Sequence, residues 1–136
     1  MYIPARLPPS IYYLPKALIE HMTQDTVRLI EESIQRDREH IELANSLERL
    51  KTNRDFKQVI SEGYLNKEAV RLVHLKADPS MQNQESQASI VSQIDAIGGL
   101  LAYFRLIAQM GDQAVKSMER SEFERDELLA EEIRRG

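Results

Sequence analysis

The residues best suited to chemistry are a carboxylate and an imidazole at metal-ligand spacing. Asp37 and His40 are three positions apart, so one helix presents both side chains on one side. A di-iron bundle needs a Glu-x-x-His pair on each of two helices and two further glutamates. His74 has Arg71 at the corresponding position, and no histidine follows it. The sequence therefore indicates no metal site; we expect His40 at the surface and His74 on a helix face near a corner.

The sequence contains no motif typical of nucleophilic catalysis or of phosphate binding. The chain contains no cysteine and no Gly-x-Ser-x-Gly turn. A phosphate loop needs glycines that open a helix, whereas Gly98-Gly99 lies inside a helical pattern, where we expect close helix packing. The carboxylates lie in mixed-charge rows without the apolar surroundings that raise a catalytic pKa. We therefore interpret the chain as a non-enzymatic protein that needs no cofactor.

Composition narrows the fold and the partners. Hydrophobic residues make up 42% of the chain and charged residues 29%, with only five glycines and five prolines. Such a balance, rich in helix-favouring residues, predicts an all-α protein. The net charge of −4 argues against nucleic acid as the partner, since binding faces for nucleic acid are basic. We find no run of about 18 apolar residues, so we predict no membrane span, and we expect no secretion signal.

The helices must account for the strongest pattern in the chain, a heptad stripe between residues 90 and 118. Apolar residues at alternating spacings of four and three are typical of a helix that packs lengthwise against another helix. A second apolar row widens this face, so more than one neighbour must cover it. The stripe contains Ile90, Ile94, Ile97, Leu101, Phe104, Ala108, Gly111, Val115 and Met118, and the second row contains Val91, Leu100, Ile107, Met110 and Ala114.

The remaining pattern predicts a long antiparallel helical hairpin, or coiled-coil-like bundle, with a short helical corner. We predict a helix over about 16–51, short helices over about 54–62 and 67–77, and a long helix over about 86–134, all within one domain at 16–136. In the first helix the stripe shifts phase to Leu43, Leu47 and Leu50 after Ala44. In the helix over 67–77 we expect Val70, Val73 and Ala77 to form the packed face, with Leu72 and Leu75 beside it.

The N-terminal segment 1–15 holds most of the prolines and predicts an extended arm. A disordered end is the alternative, but the segment is too apolar for a solvated tail. We predict a docking arm, because tyrosine and large apolar residues favour interface cores. The residues expected to contact a partner are Tyr2, Ile3, Leu7, Ile11, Tyr12, Tyr13 and Leu14 in the arm, and Leu100, Tyr103, Ile107 and Met110 on the long helix.

The central stretch 50–81 carries a resemblance to known proteins. It reads LKTNRDFKQVISEGYLNKEAVRLVHLKADPSM, with Asp-Phe-Lys, an EGY-type corner, a Glu-Ala-Val-Arg-Leu-Val helix and then Asp-Pro. This stretch resembles small helical structural proteins of tailed-bacteriophage virions. The resemblance implies a structural role at the head, neck or tail, in contact with copies of itself or with portal, capsid or tail proteins. It also implies assembly in the host cytoplasm and location in the virion.

Two other functions remain open from the sequence. A small regulatory protein could use the same apolar stripe to bind a cellular enzyme, and would be a monomer or dimer when alone. A DNA-packaging or nucleic-acid recognition module could use the modest basic cluster of Lys67, Arg71, His74 and Lys76, and its binding would depend on salt. If the chain is not a virion component, we expect it in the cytoplasm.

Overall fold

The computed structural model describes residues 15–136, so the predicted contacts of the N-terminal arm lie outside the described residues. Every element in this part is helical, which confirms the prediction of an all-α fold. Both long helices begin and end within two residues of the predicted bounds. The elements are α1 (Lys16–Thr52), α2 (Arg54–Phe56), a π-helix (Lys57–Glu68), α3 (Ala69–Ala77), a 3₁₀ helix (Pro79–Met81) and α4 (Gln84–Arg135).

The chain divides into two compact units. The central unit runs from Arg38 to Val115 and holds the end of α1, the short helices and the first part of α4. The terminal unit joins the earlier residues of α1, up to Asp37, with α4 from Lys116 onward.

The central unit is an antiparallel helical hairpin. Gly111 of α4 lies against α1, because a Cβ added there would collide with the Ala44 methyl group. Closer to the corner, the rings of Phe56 and Phe104 lie 6.0 Å apart at a tilt of 53°. Such a tilted aromatic contact is a favourable arrangement. Later residues of the first arm therefore contact earlier residues of α4, so the two arms of the hairpin run antiparallel.

The corner is one continuous helical run, not the two short helices that we predicted. Asn53 caps its start: the Asn53 side-chain oxygen accepts a 2.9 Å hydrogen bond from the Phe56 amide. Residues 57–68 are π-helical, so the helix continues through Gly63 and does not end near residue 62 as predicted. A Cβ on Gly63 would lie 2.8 Å from the Gln58 carbonyl oxygen. Glycine thus permits the wide turn here; it does not end a helix.

The core of the central unit lies where α3 packs on α4. Leu72 is only 1% exposed and forms a buried cluster with Ile90 and Ile97. On α3, the predicted packed face is wrong: Val70 and Val73 are exposed, whereas Leu72 is buried. A π-helix holds more residues per turn than an α-helix, so it rotates the face of the helix that follows it. The half-buried side chains around the cluster are Tyr64, Leu65, Ala69, Leu75, Met81 and Ile94.

Polar side chains close the turn between α3 and α4. Asp78 ends α3 before Pro79, and its carboxylate accepts hydrogen bonds from the Ser80 hydroxyl (2.7 Å) and the Ser80 amide (2.8 Å). Both hydrogen bonds lower the pKa of Asp78, and the bond from the Ser80 hydroxyl has the larger effect. The Gln87 side-chain amide donates to the carbonyl oxygens of Lys76 (2.9 Å) and Met81 (2.8 Å). The turn therefore satisfies carbonyl groups that the end of a helix leaves without partners.

α4 begins two residues before its predicted bound. The Asn83 side-chain oxygen caps its start and accepts a 2.8 Å hydrogen bond from the Ser86 amide. Glu85 in the first turn and Arg134 and Arg135 in the last turn complement the helix dipole.

The observed burial follows the predicted heptad stripes along most of α1 and α4 but differs from them at two places. In α4, Ala114 is buried and Val115 is exposed, the reverse of the predicted stripe. In α1, Leu47 is buried as the phase shift requires, whereas Leu43 and Leu50 are exposed. Spacing alone does not decide between adjacent apolar residues, because the choice depends on the local phase of both helices.

The terminal unit has few buried side chains among its described residues. Ile34 is buried, whereas Leu18, Met22 and Leu29 of α1 are exposed. Asp37 lies in the α1 stripe, and its buried Oδ2 atom has no hydrogen-bond partner within the described chain. The surface of this unit carries helical ion pairs, such as Lys16–Glu20 at 3.9 Å. Exposed pairs of this kind contribute little to stability.

Candidate functional site

The predicted contact residues of α4 do not form one exposed surface. Tyr103 is 52% exposed, and Leu100 and Met110 are half-buried. Ile107 is only 6% exposed, so its side chain is already covered. The predicted arm residues, Tyr2 to Leu14, lie outside the described part of the chain.

The central unit instead contains a groove at the helical corner, between the π-helix and α4. The corner groove has a volume of about 540 Å³ and is large enough for side chains of a partner. All of its lining residues belong to the central unit. They are Lys51, Phe56, Lys57, Ser61, Glu62, Leu65, Leu101, Phe104, Arg105 and Ala108.

Apolar side chains form the floor of the groove. Leu101, Phe104 and Ala108 come from the heptad stripe of α4, and Phe56 and Leu65 come from the corner. All five are half-buried, so they retain surface that a partner could cover. The Phe56–Phe104 ring contact holds the two sides of this floor together.

Charged side chains form the rim, and the balance is cationic. Lys57, Arg105 and Glu62 are exposed, and Lys51 is half-buried. Lys51 lies 3.5 Å from Glu48, an ion pair that partly offsets its charge. Lys57 and Arg105 form no ion pair within residues 15–136. The rim therefore offers two uncompensated cations beside an apolar floor, which suits an apolar segment that carries carboxylates.

The π-helix forms one side of the groove. Lys57, Ser61, Glu62 and Leu65 all lie within it and all line the groove. π-helical turns are rare and often occur at functional sites. This side was not predicted, because the two predicted short helices leave a gap over residues 63–66 where the structure has a continuous π-helix. The sequence features that could have indicated the groove are Phe56 and the heptad residue Phe104.

The other residues considered for chemistry remain apart. Among the described residues, no three histidine, aspartate, glutamate or cysteine side chains converge as a metal site would require. Arg71 donates two hydrogen bonds to Glu68, at 2.9 and 2.5 Å. These bonds lower the pKa of Glu68 and raise that of Arg71. Much of the charge of Arg71 in the basic cluster is thus compensated within the chain.

α4 also meets the length and composition of a membrane-crossing helix. An 18-residue window within it has a mean hydropathy of 1.4, and only 17% of that window is buried. Core helices of soluble proteins meet the same criterion of length and composition, but they are mostly buried. Comparison of the chain with protein families, curated proteins and solved structures gives no match.

Proposed function

We propose that this chain is a non-enzymatic assembly protein that binds a protein partner through the corner groove. The single observation that carries the proposal is the groove itself, an open apolar floor with a cationic rim on a continuous helical scaffold. Apolar surface that the fold leaves accessible is typical of interaction sites. The charged rim supplies orientation and specificity.

The resemblance of residues 50–81 to tailed-phage structural proteins supports the virion as the place of assembly. Under this proposal the partners are further copies of the chain or larger portal, capsid or tail proteins. The N-terminal arm would add a second contact, which suits a part held at a fixed place in a particle.

The test is capture of the partner through the groove. We would compare the tagged wild-type chain with a Lys57→Glu/Arg105→Glu variant, whose substitutions lie on the exposed rim and should leave helicity by circular dichroism unchanged. Arg36→Glu/Lys116→Glu is the matched control, because both side chains are exposed and neither lines the groove or belongs to the basic cluster. The wild type and the control should retain a stoichiometric partner that the rim variant loses.

The identity of the captured protein separates the alternatives. A structural protein of a particle supports the assembly proposal. A cellular enzyme whose activity changes on binding supports the regulatory alternative, which could use the same groove. Binding to DNA that weakens steeply with salt supports the nucleic-acid module. Equal capture by the wild type and the rim variant would show that the groove is not the binding site.

A further inference from the structure

The end of α4 carries a surface whose chemistry is opposite to that of the corner groove. Phe123 is 67% exposed and Ile133 is 80% exposed, and Leu129 is exposed as well. Large apolar side chains at such exposures do not contribute to a core. We call the side of α4 that bears them, together with the carboxylates of Glu119, Glu122 and Asp126, the acidic face.

Helical spacing places these residues on one side. Glu119, Glu122, Asp126, Leu129 and Ile133 are separated by three or four positions in turn, so their side chains follow one another along the helix. Phe123 lies beside them, three positions before Asp126. The acidic face thus combines apolar side chains with carboxylates in a single stripe.

The carboxylates of this face are largely uncompensated. Glu119 and Glu122 form no ion pair within the described part of the chain. Asp126 lies 3.4 Å from Arg125, yet its side chain is 70% exposed and remains open to a second partner. Nearby Glu131 is occupied by Arg134, at 2.9 Å.

We propose that the acidic face of one copy docks into the corner groove of a second copy. The carboxylates would meet Lys57 and Arg105 at the rim, while Leu129 and Ile133 cover the floor at Leu101 and Phe104. Opposite charges and apolar surfaces are then matched at the same contact. This contact rests on the proposed assembly function and names one of its partners, a second copy of the chain.

The groove and the acidic face belong to different units of the chain. A second copy supplies to the groove the carboxylates and exposed apolar side chains that match its cations and its apolar floor. Since the two surfaces differ, the contact is head-to-tail and produces a ring or an open chain of copies.

The test uses two variants that each disable one surface. The groove variant is Lys57→Glu/Arg105→Glu, and the face variant is Glu119→Lys/Asp126→Lys. Sedimentation velocity should show that the mass of the wild type rises with concentration above the 15.7 kDa of one chain. Each variant alone should associate at least about 100-fold more weakly than the wild type, because like charges then meet across the contact.

The decisive sample is an equimolar mixture of the two variants. In the mixture the acidic face of the groove variant meets the unchanged groove of the face variant, and the two charge-reversed surfaces also match each other, so association above the 15.7 kDa of one chain should return. Ile133→Ser, at a highly exposed site that leaves the core intact, should weaken the wild-type association without changing helicity. Raising the salt to about 1 M should weaken the contact further, because the Debye length falls to about 3 Å.

Three results would overturn the head-to-tail contact. These are a wild type that stays monomeric at every concentration, a variant alone that keeps the wild-type mass, and a mixture that stays monomeric. The proposed function fails separately. A chain that captures a different protein through its groove but does not self-associate contradicts only the head-to-tail contact.

Discussion

Gly111 and Gly98 lie in the middle of the same helix but have different surroundings. A Cβ on Gly111 would collide with the Ala44 methyl group, so glycine there allows α1 and α4 to approach closely. A Cβ on Gly98 or Gly99 would meet nothing within 4 Å. The close packing predicted for the Gly98-Gly99 pair is therefore wrong, whereas Gly111, within the predicted heptad stripe, does lie against a neighbouring helix.

Alanine at these two positions should have opposite effects. Gly98→Ala should raise the free energy of unfolding by roughly 1 kcal/mol, the difference in helix propensity between glycine and alanine. Gly111→Ala should lower it by about 1–3 kcal/mol, because the added methyl group overfills the contact with Ala44. Chemical denaturation of both variants checks this, and equal shifts would contradict the assigned helix contact.

At the scale of the element, the π-helix is the least expected feature. Gly63→Ala should destabilise the π-helix, because the new Cβ would meet the Gln58 carbonyl, a backbone atom that cannot move independently. We expect a cost of about 1–3 kcal/mol, as for other overpacked sites. Gly98→Ala is the control for helix propensity. A Gly63→Ala variant as stable as the wild type would show that the corner tolerates an α-helical turn.

The buried face of α3 provides a second prediction at this scale. Leu72→Ala removes a side chain that is 1% exposed, so it should cost about 2–5 kcal/mol of folding free energy. Val73→Ala is the matched control: Val73 is the next residue in the helix and is 58% exposed, so its change should be within about 0.5 kcal/mol. A larger loss at Val73 would favour the face originally predicted from spacing.

These elements show what periodicity can and cannot predict. The heptad stripes predicted that α1 and α4 are long helices, because such a pattern is local to its own helix. The corner was not predictable, because α3 is apolar on two sides and the π-helix changes which side packs. The stripe predicted that Leu101 and Phe104 lie on the apolar face of α4, but it could not predict that they are only half-buried. Their exposure depends on the tertiary packing of the π-helix against α4.

At the scale of the whole molecule, the apolar character of α4 has two possible uses. The helix could pack in a folded protein or cross a membrane, since one of its windows reaches a mean hydropathy of 1.4. The central unit already uses Ile90 and Ile97 of α4 in its core. Asp95 and Arg105 lie in the same apolar stretch, and each would cost roughly 2.5–3.5 kcal/mol at the centre of a membrane-spanning helix.

We therefore expect the chain not to insert into lipid. In a flotation experiment with neutral phosphatidylcholine vesicles, the protein should stay in the dense aqueous fraction. An Asp95→Leu/Arg105→Leu variant is the comparison, because it removes both charges and should shift toward the vesicles. Recovery of the wild-type chain with the vesicles, resistant to high salt, would instead show that α4 inserts into the membrane. In that case its exposed apolar residues would face lipid, and the corner groove would no longer be needed to explain them.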